Sequence, residues 1–195
     1  MEVVNAKVRD SGMPERDAWE SFFDPDQLLT RMRLTADCRD VVEFGCGYGT
    51  FTLPAARRVG GTVFALDIDS TLIAGAESRA AAEGLTNIRF LRRDFIAQGT
   101  GLPDSSADYA MLFNILHCEN PVGLLRETHR NLREGGALGV IHWNPDPNTP
   151  RGPPMSIRPA PEQCKQWAET AGFSPGGGFI DLPPYHFGLV LYRET

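Results

Sequence analysis

At 195 residues, 42% of them hydrophobic, the chain suits one globular domain with a sizeable core and leaves little room for a second. A formal net charge of -6, with Lys and Arg scattered rather than clustered, excludes a surface built to neutralise phosphate backbones, so no nucleic-acid partner is expected. No apolar run approaches the roughly 20 residues of a membrane span, and the start MEVVNAKVRD lacks a signal-peptide core, which points to a cytoplasmic chain with no membrane partner. Cys38, Cys46, Cys118 and Cys164 show no CxxC spacing, so reduced thiols are expected, not a disulfide framework or a zinc knuckle.

In chain order, residues 1–35 are expected to form an N-terminal helical cap and residues 36–195 the main domain. SGMPERDAWESFFDPDQLLTRM reads as two short helices, with Trp19, Phe22 and Phe23 on one face and Leu28, Leu29 and Met32 on the next, punctuated by Asp24 and Pro25. From residue 40 the β-rich runs DVVEFG, TVFALD, IRFLRRD, DYAMLFN and ALGVIHW alternate with helical patterns, the rhythm of a parallel sheet. Ser70 is placed to cap a helix that buries Ile73, Ala76 and Ala80 and stops at Gly84. Asn120 and Pro121 open another with Leu125, Thr128 and Leu132 inward, and Pro161 opens the last, carrying Cys164, Trp167, Ala168 and Ala171. NPDPNTPRGPP is the one internal stretch expected to be mobile. GGFIDLPPYHFGLVLYR reads as two strands with a tight Pro-Pro connection.

Glycines at 45, 47 and 49 follow the first strand. Bare backbone there lets the chain bend sharply and lets a ligand lie directly against it; the competing reading is a tight strand-to-helix turn with no ligand. A dinucleotide fingerprint would place its third small residue at position 50, where Thr50 stands, which disfavours a pyrophosphate cradle. Glu43, at the end of the same strand, would oppose a phosphate and suits a positively charged ligand group, met directly or through water.

EFGCGYG resembles the E/D-x-G-x-G-x-G signature of class I S-adenosylmethionine-dependent methyltransferases, and the resemblance runs from about residue 35 to the C-terminus. It implies an α/β fold, a Rossmann-like three-layer sandwich around a mostly parallel seven-stranded sheet whose last strand is antiparallel. It implies S-adenosylmethionine (SAM) as cofactor, bound by Glu43, Gly45, Cys46 and Gly47, by Asp67 and Ile68 after the second strand, by Asp94 and Phe95 after the third, and by Asn114 after the fourth. Asp67 would hold the ribose, because one carboxylate can accept both vicinal hydroxyl protons. Asp94 would meet the adenine amino group and Phe95 its ring, and Asn114 to His117 would border the methionine part and the methyl acceptor.

Methyl transfer from a sulfonium is an in-line displacement, in which alignment and exclusion of water carry much of the rate. A base is needed only when the acceptor must lose a proton, as a phenol, an amide or an activated carbon does. His117 after the fourth strand and His142 ending the fifth are the candidate bases, each with the alternative of a structural histidine. Tyr185 and His186 read as turn and strand residues, and His129 as solvated. NILH departs after its first residue from the Asn-Pro-Pro-Tyr type motif of exocyclic-amine methylation, so that substrate class loses support. No metal is expected, since no clustered Asp and Asn ligands are identifiable. Trp19 and Tyr185 are expected in a lid, with Phe22, Phe23 and the proline-rich loop as further walls, which suits a small or medium organic acceptor. An NAD(P)-dependent oxidoreductase and a non-catalytic SAM-binding regulator or activating subunit stay open as rivals.

Overall fold

A computed structural model describes residues 13–194; residues 1–12 of the expected cap lie outside the described residues. Five strands, β1 (Val41–Phe44), β2 (Val63–Asp67), β3 (Ile88–Arg92), β4 (Ala107–Phe113) and β5 (Leu132–Trp143), run parallel in the order β3-β2-β1-β4-β5. β8 (His186–Arg193) extends the sheet antiparallel to β5, in register from Ala137↔Tyr192 to Trp143↔His186. Its far edge takes β6 (Phe173–Pro175) and β7 (Ile180–Leu182), both antiparallel to it.

Between Pro175↔Leu191 and Ile180↔Gly188, residues 176–179 face only Leu189 and Val190, so one edge strand is broken by a bulge into β6 and β7. Seven strand positions therefore hold eight segments. The expected α/β sheet with its antiparallel late strand is present, and β6 is the strand that sequence reading missed. FSP is too short to show alternation, and the glycines after it read as loop.

Alternation along the strands sends side chains to both faces of the sheet. Val42, Phe44, Ala110 and Leu112 pack beneath α6 (Pro121–Asn131) and α7 (Pro161–Thr170), through Leu124, Leu125, Cys164 and Ala168. Val41, Tyr109 and Met111 face α2 (Pro25–Arg31) and α3 (Thr52–Arg58), through Leu28, Leu29, Ala55 and Ala56. Because each face is covered, β1 is buried at every position.

Local chemistry explains most helix ends. Asn120 accepts the Gly123 N–H at 2.9 Å and caps α6, and Asp24 accepts that of Gln27 at 3.1 Å and caps α2. At α4 (Ser70–Ala82) the cap is Asp69 instead of Ser70: its carboxylate takes the N–H groups of Thr71 and Leu72. Ser70 becomes the first helical residue. α1 (Arg16–Glu20) ends before Phe22 and Phe23, which turn inward beyond it. Leu28, Leu29, Met32 and Leu34 share one core with Tyr109 and Ile141, and the Tyr109 hydroxyl donates to the Met32 carbonyl at 2.7 Å. Residues 25–34 thus seal a face of the sheet. Among the described residues no helix is long and apolar enough to cross a membrane.

Candidate active site

In an open α/β sheet the crevice lies beyond the carboxyl ends of the strands, where the strand order reverses. Here that point falls between β1 and β4, and a cleft opens there. Its β2–β3 side is walled by Asp67, Ile68, Asp94 and Phe95, and its β4–β5 side by Asn114, Ile115, His117 and Trp143. Gly45 and Gly47 form the floor between them.

The three loop glycines have positive φ, +78°, +51° and +78°, a backbone region costly for other residues. A Cβ on Gly45 would approach Ile115 Cδ1 at 3.1 Å across the cleft. Gly49 serves packing: a Cβ there would lie 2.8 Å from Leu53 Cδ1 and 3.1 Å from Ala76 Cβ. The Gly47 N–H donates to Asp67 Oδ2 at 2.8 Å, and the Asp69 N–H to Asp67 Oδ1 at 2.9 Å. A carboxylate oxygen has two lone pairs, so Asp67 is held rigidly and keeps acceptor capacity.

Asp94 also has a local duty, since Oδ1 accepts the Ala97 N–H at 3.0 Å and caps α5 (Phe95–Gln98). Phe95 lies edge-on to Phe44 with ring centroids 5.4 Å apart. Ile96, 37% exposed on the same wall, had no sequence signal beyond its place after Phe95. Asn114 is the most informative residue of the cleft. It is a non-glycine at φ +56°, and neither its side-chain nitrogen nor its oxygen, both buried, has a hydrogen-bond partner. A positive φ and an orphaned buried amide both call for an explanation beyond packing.

Four expected site residues lie off the cleft wall: Glu43, Cys46, Tyr185 and, described below with His117, His142. Glu43 is buried beneath the loop, outside the cleft wall, where the Thr52 hydroxyl of α3 donates to its Oε2. Burial raises its pKa to about 8, the Thr52 bond lowers it and the charge of Asp67 adds to the rise. Cys46 turns its side chain into a small core with Ala65 and Ile73, and burial pushes its thiol far up. Tyr185 does not reach the cleft: its ring stacks on Trp143 with centroids 6.2 Å apart and meets Phe22 edge-on at 6.1 Å.

Trp19 does line the cleft, together with Met13 and Pro14. This segment is tied over the glycine loop, because the Tyr48 hydroxyl donates to the Pro14 carbonyl at 3.1 Å. Arg79 donates to both Glu20 (2.6 Å) and the Tyr48 carbonyl (2.9 Å). On the opposite rim, Arg151, Gly152 and Pro153 bring in the proline-rich loop. Its organiser is Arg158, which donates to the carbonyls of Asn144, Asp146, Arg151 and Pro153 and to the Thr149 hydroxyl. A stretch that reads as mobile is therefore gathered on one guanidinium. Only its sequence position, at the end of the prolines, hinted at Arg158.

His117 lies on the cleft wall and His142 behind it, with Nδ1 of the first 3.4 Å from Nε2 of the second. His186 lies deeper, between the rings of Trp143 (4.3 Å) and Phe23 (4.7 Å), and burial lowers its pKa to about 3. Among the described residues no group of three or more His, Cys, Asp or Glu is placed to hold a metal ion.

The methyltransferase-domain family model matches residues 41–136. Aklanonic acid methyltransferase DauC from Streptomyces sp. (strain C5) is 30% identical over 185 residues, spanning 89% of this chain and 83% of DauC. Among solved structures, a SAM-dependent methyltransferase from Aquifex aeolicus is similar with a TM-score of 0.81 at 23% identity, covering 91% of this chain and 94% of its own. The (4+2)-cyclase SpnF is similar with a TM-score of 0.75 at 19% identity, covering 95% and 84%. SpnF is named for a different activity, so the fold alone does not fix the reaction. The relative matched over most of both chains carries the assignment and the family model agrees with it: the chain belongs to the class I SAM-dependent methyltransferases, enzymes that use SAM as cofactor.

Proposed function

We propose that the cleft binds SAM between Asp67 and Asn114 and methylates a small-to-medium organic acceptor brought in along the β4–β5 side. The observation that carries this reading is the Asn114 amide, orphaned and conformationally strained at the cleft edge of β4. A ligand with amino-acid donors and acceptors would satisfy it. The fit extends to Asp67, whose fixed carboxylate suits a vicinal diol, and to Ile68, Asp94, Phe95 and Ile96, which offer apolar cover and one carboxylate for a purine. Gly45 and Gly47 allow the ligand to approach the backbone. Glu43 supports the loop from beneath through Thr52, and Cys46 contributes main chain only, its N–H donating to the Leu66 carbonyl.

When bound, SAM supplies an electrophilic methyl group on a sulfonium. The protein's own contribution is to hold the acceptor in line and dry. Trp19, Phe113, Trp143 and Pro153 give the acceptor side apolar walls. DauC acts, by its name, on aklanonic acid. Its likeness over most of both chains supports an organic acceptor of that general kind, and Arg151 on the rim would suit a negative charge on it.

Calorimetric titration with S-adenosylhomocysteine (SAH) and NAD tests the cofactor reading, with micromolar SAH binding and none for NAD expected. Preferential NAD binding would transfer the site to the oxidoreductase class. Transfer of labelled methyl from SAM to members of an aromatic acid and phenol panel is the expected turnover. SAH binding with turnover appearing only on addition of a copurifying partner would support the activating-subunit reading.

A further inference from the structure

Arg151 stands on the rim of the cleft on a backbone held from two sides. The Thr149 hydroxyl and Arg158 Nη2 donate to its carbonyl at 3.0 and 3.3 Å. The next residue, Gly152, has φ +117° and lies against the indole of Trp143: a Cβ there would come 2.9 Å from Trp143 Cγ and 2.8 Å from Arg158 Nη2. Both the conformation and the space require glycine, so the loop is seated on Trp143 and the Arg151 side chain starts from a fixed base.

The Arg151 guanidinium is exposed and, among the described residues, makes no hydrogen bond or ion pair. Its charged neighbours are committed elsewhere. Asp146, in the same loop, accepts the Asn148 N–H and side-chain amide at 2.8 and 2.9 Å. Arg158 lies off the cleft wall with all three guanidinium nitrogens donating to loop carbonyls or the Thr149 hydroxyl. Arg93, across the cleft, donates to the carbonyls of Gln98 and Gly99. Because Asp67, Asp69 and Asp94 all stand on the β2–β3 side, the cleft is polarised. Carboxylates line one half, and one guanidinium with open donors faces the other.

Resting on the functional reading above, we propose that Arg151 is the specificity-determining residue for the methyl acceptor, and that the acceptor is an aromatic monocarboxylate. A guanidinium presents two parallel N–H donors that match a carboxylate in geometry and charge. A phosphate ester, carrying about −1.5 to −2 at neutral pH, would meet a single open cation and be disfavoured by the field of the rest of the protein, whose formal net charge is -6. The body of the ligand is set by the walls. Trp19, Phe113 and Trp143 are each backed by another ring, Phe23 at 4.8 Å, Phe51 at 4.9 Å and His186 at 4.3 Å. Rigid aromatic walls favour a flat ring, which gains offset and edge contacts that a puckered aliphatic ring of the same size does not.

The test is calorimetric titration of the full chain, loaded with SAH near neutral pH, with 2-naphthoate, its neutral isostere 2-naphthamide, 2-naphthyl phosphate and the saturated analogue decahydro-2-naphthoate. 2-Naphthoate is expected to bind about tenfold tighter than each of the other three. In Arg151→Met, naphthoate should fall to the level of naphthamide, while naphthamide and SAH each stay within twofold. Any of the three analogues binding as tightly as naphthoate would overturn the proposal, as would no naphthoate binding at millimolar concentration or a naphthoate affinity unmoved in Arg151→Met. A loss of SAH affinity in Arg151→Met of fivefold or more would assign the guanidinium to the cofactor and overturn it too. The two levels separate cleanly: wild-type protein that binds no SAH overturns the cofactor reading and this inference with it, whereas SAH binding without discrimination among the four probes overturns this inference alone.

Discussion

Asp67 receives the backbone N–H of Gly47, from the loop twenty residues earlier, at 2.8 Å, while its other oxygen receives that of Asp69. One carboxylate thus couples the glycine loop after β1 to the cap of α4. In Asp67→Asn one oxygen becomes an NH₂ group facing a backbone donor, so one of the two bonds is lost and a diol loses an acceptor. SAH affinity measured by calorimetry should fall by about tenfold, or about 1.4 kcal/mol. Unchanged affinity in folded Asp67→Asn would remove the residue from the site.

Asn114 separates a ligand group from a structural one. Its amide has no partner and its φ is +56°, so Asn114→Gly removes an unsatisfied buried group and relieves the backbone. Thermal denaturation of ligand-free protein should show Tm unchanged or raised, against the entropic cost of roughly 1 kcal/mol that glycine brings. SAH affinity should nevertheless drop at least fivefold. A large loss of stability with affinity intact would make Asn114 a structural residue.

Glu43 imposes a pH dependence of definite sign. Its ordinary value is 4.5 and burial raises the folded value to about 8. Between these values the folded state holds a proton that the unfolded chain releases, so this contribution to stability is complete below pH 4.5 and is lost as pH rises toward 8. Glu43→Gln keeps the shape and an acceptor for Thr52. It should match the wild type in stability near pH 5 and exceed it near pH 8, by on the order of a few kcal/mol, seen as a higher Tm at the higher pH only. A Tm difference that does not change with pH would show that Glu43 is ionised in the folded protein.

Arg158 gathers four carbonyls and a hydroxyl of the loop that forms one rim of the cleft. Arg158→Met keeps the stem and removes those bonds. Hydrogen exchange of amides 146–157 should quicken by at least tenfold, with a stability loss of about 1–3 kcal/mol. SAH affinity should stay within twofold, because the β2–β3 side is untouched. Exchange unaltered across the loop would show that its prolines, not Arg158, hold it.

Much of the fold was legible because its signals are local. β-rich runs separated by capped helical stripes announce a parallel sheet, Asn120 before Pro121 announces α6, and glycine at 45, 47 and 49 announces a left-handed turn. Where two cap-forming residues adjoin, as Asp69 and Ser70 do, local pattern does not settle which one stands outside the helix; the carboxylate, reaching two N–H groups, took the place. The broken edge strand escaped for a related reason, since β6 and β7 exist only by pairing with β8.

The sequence by itself determined the α/β class, the glycine loop and the acids that follow β2 and β3, because strand alternation, backbone freedom and strand-end position are properties of neighbours along the chain. Only the tertiary structure decided which of these groups face the cleft. Glu43 and Cys46 flank the same glycine loop yet point into the core, and Tyr185 yields its expected place at the cleft to Trp143. It also decided that His117 and His142 touch and that Arg158 collects its loop. Those contacts depend on strand register and on distances across the fold, which no local pattern of residues encodes.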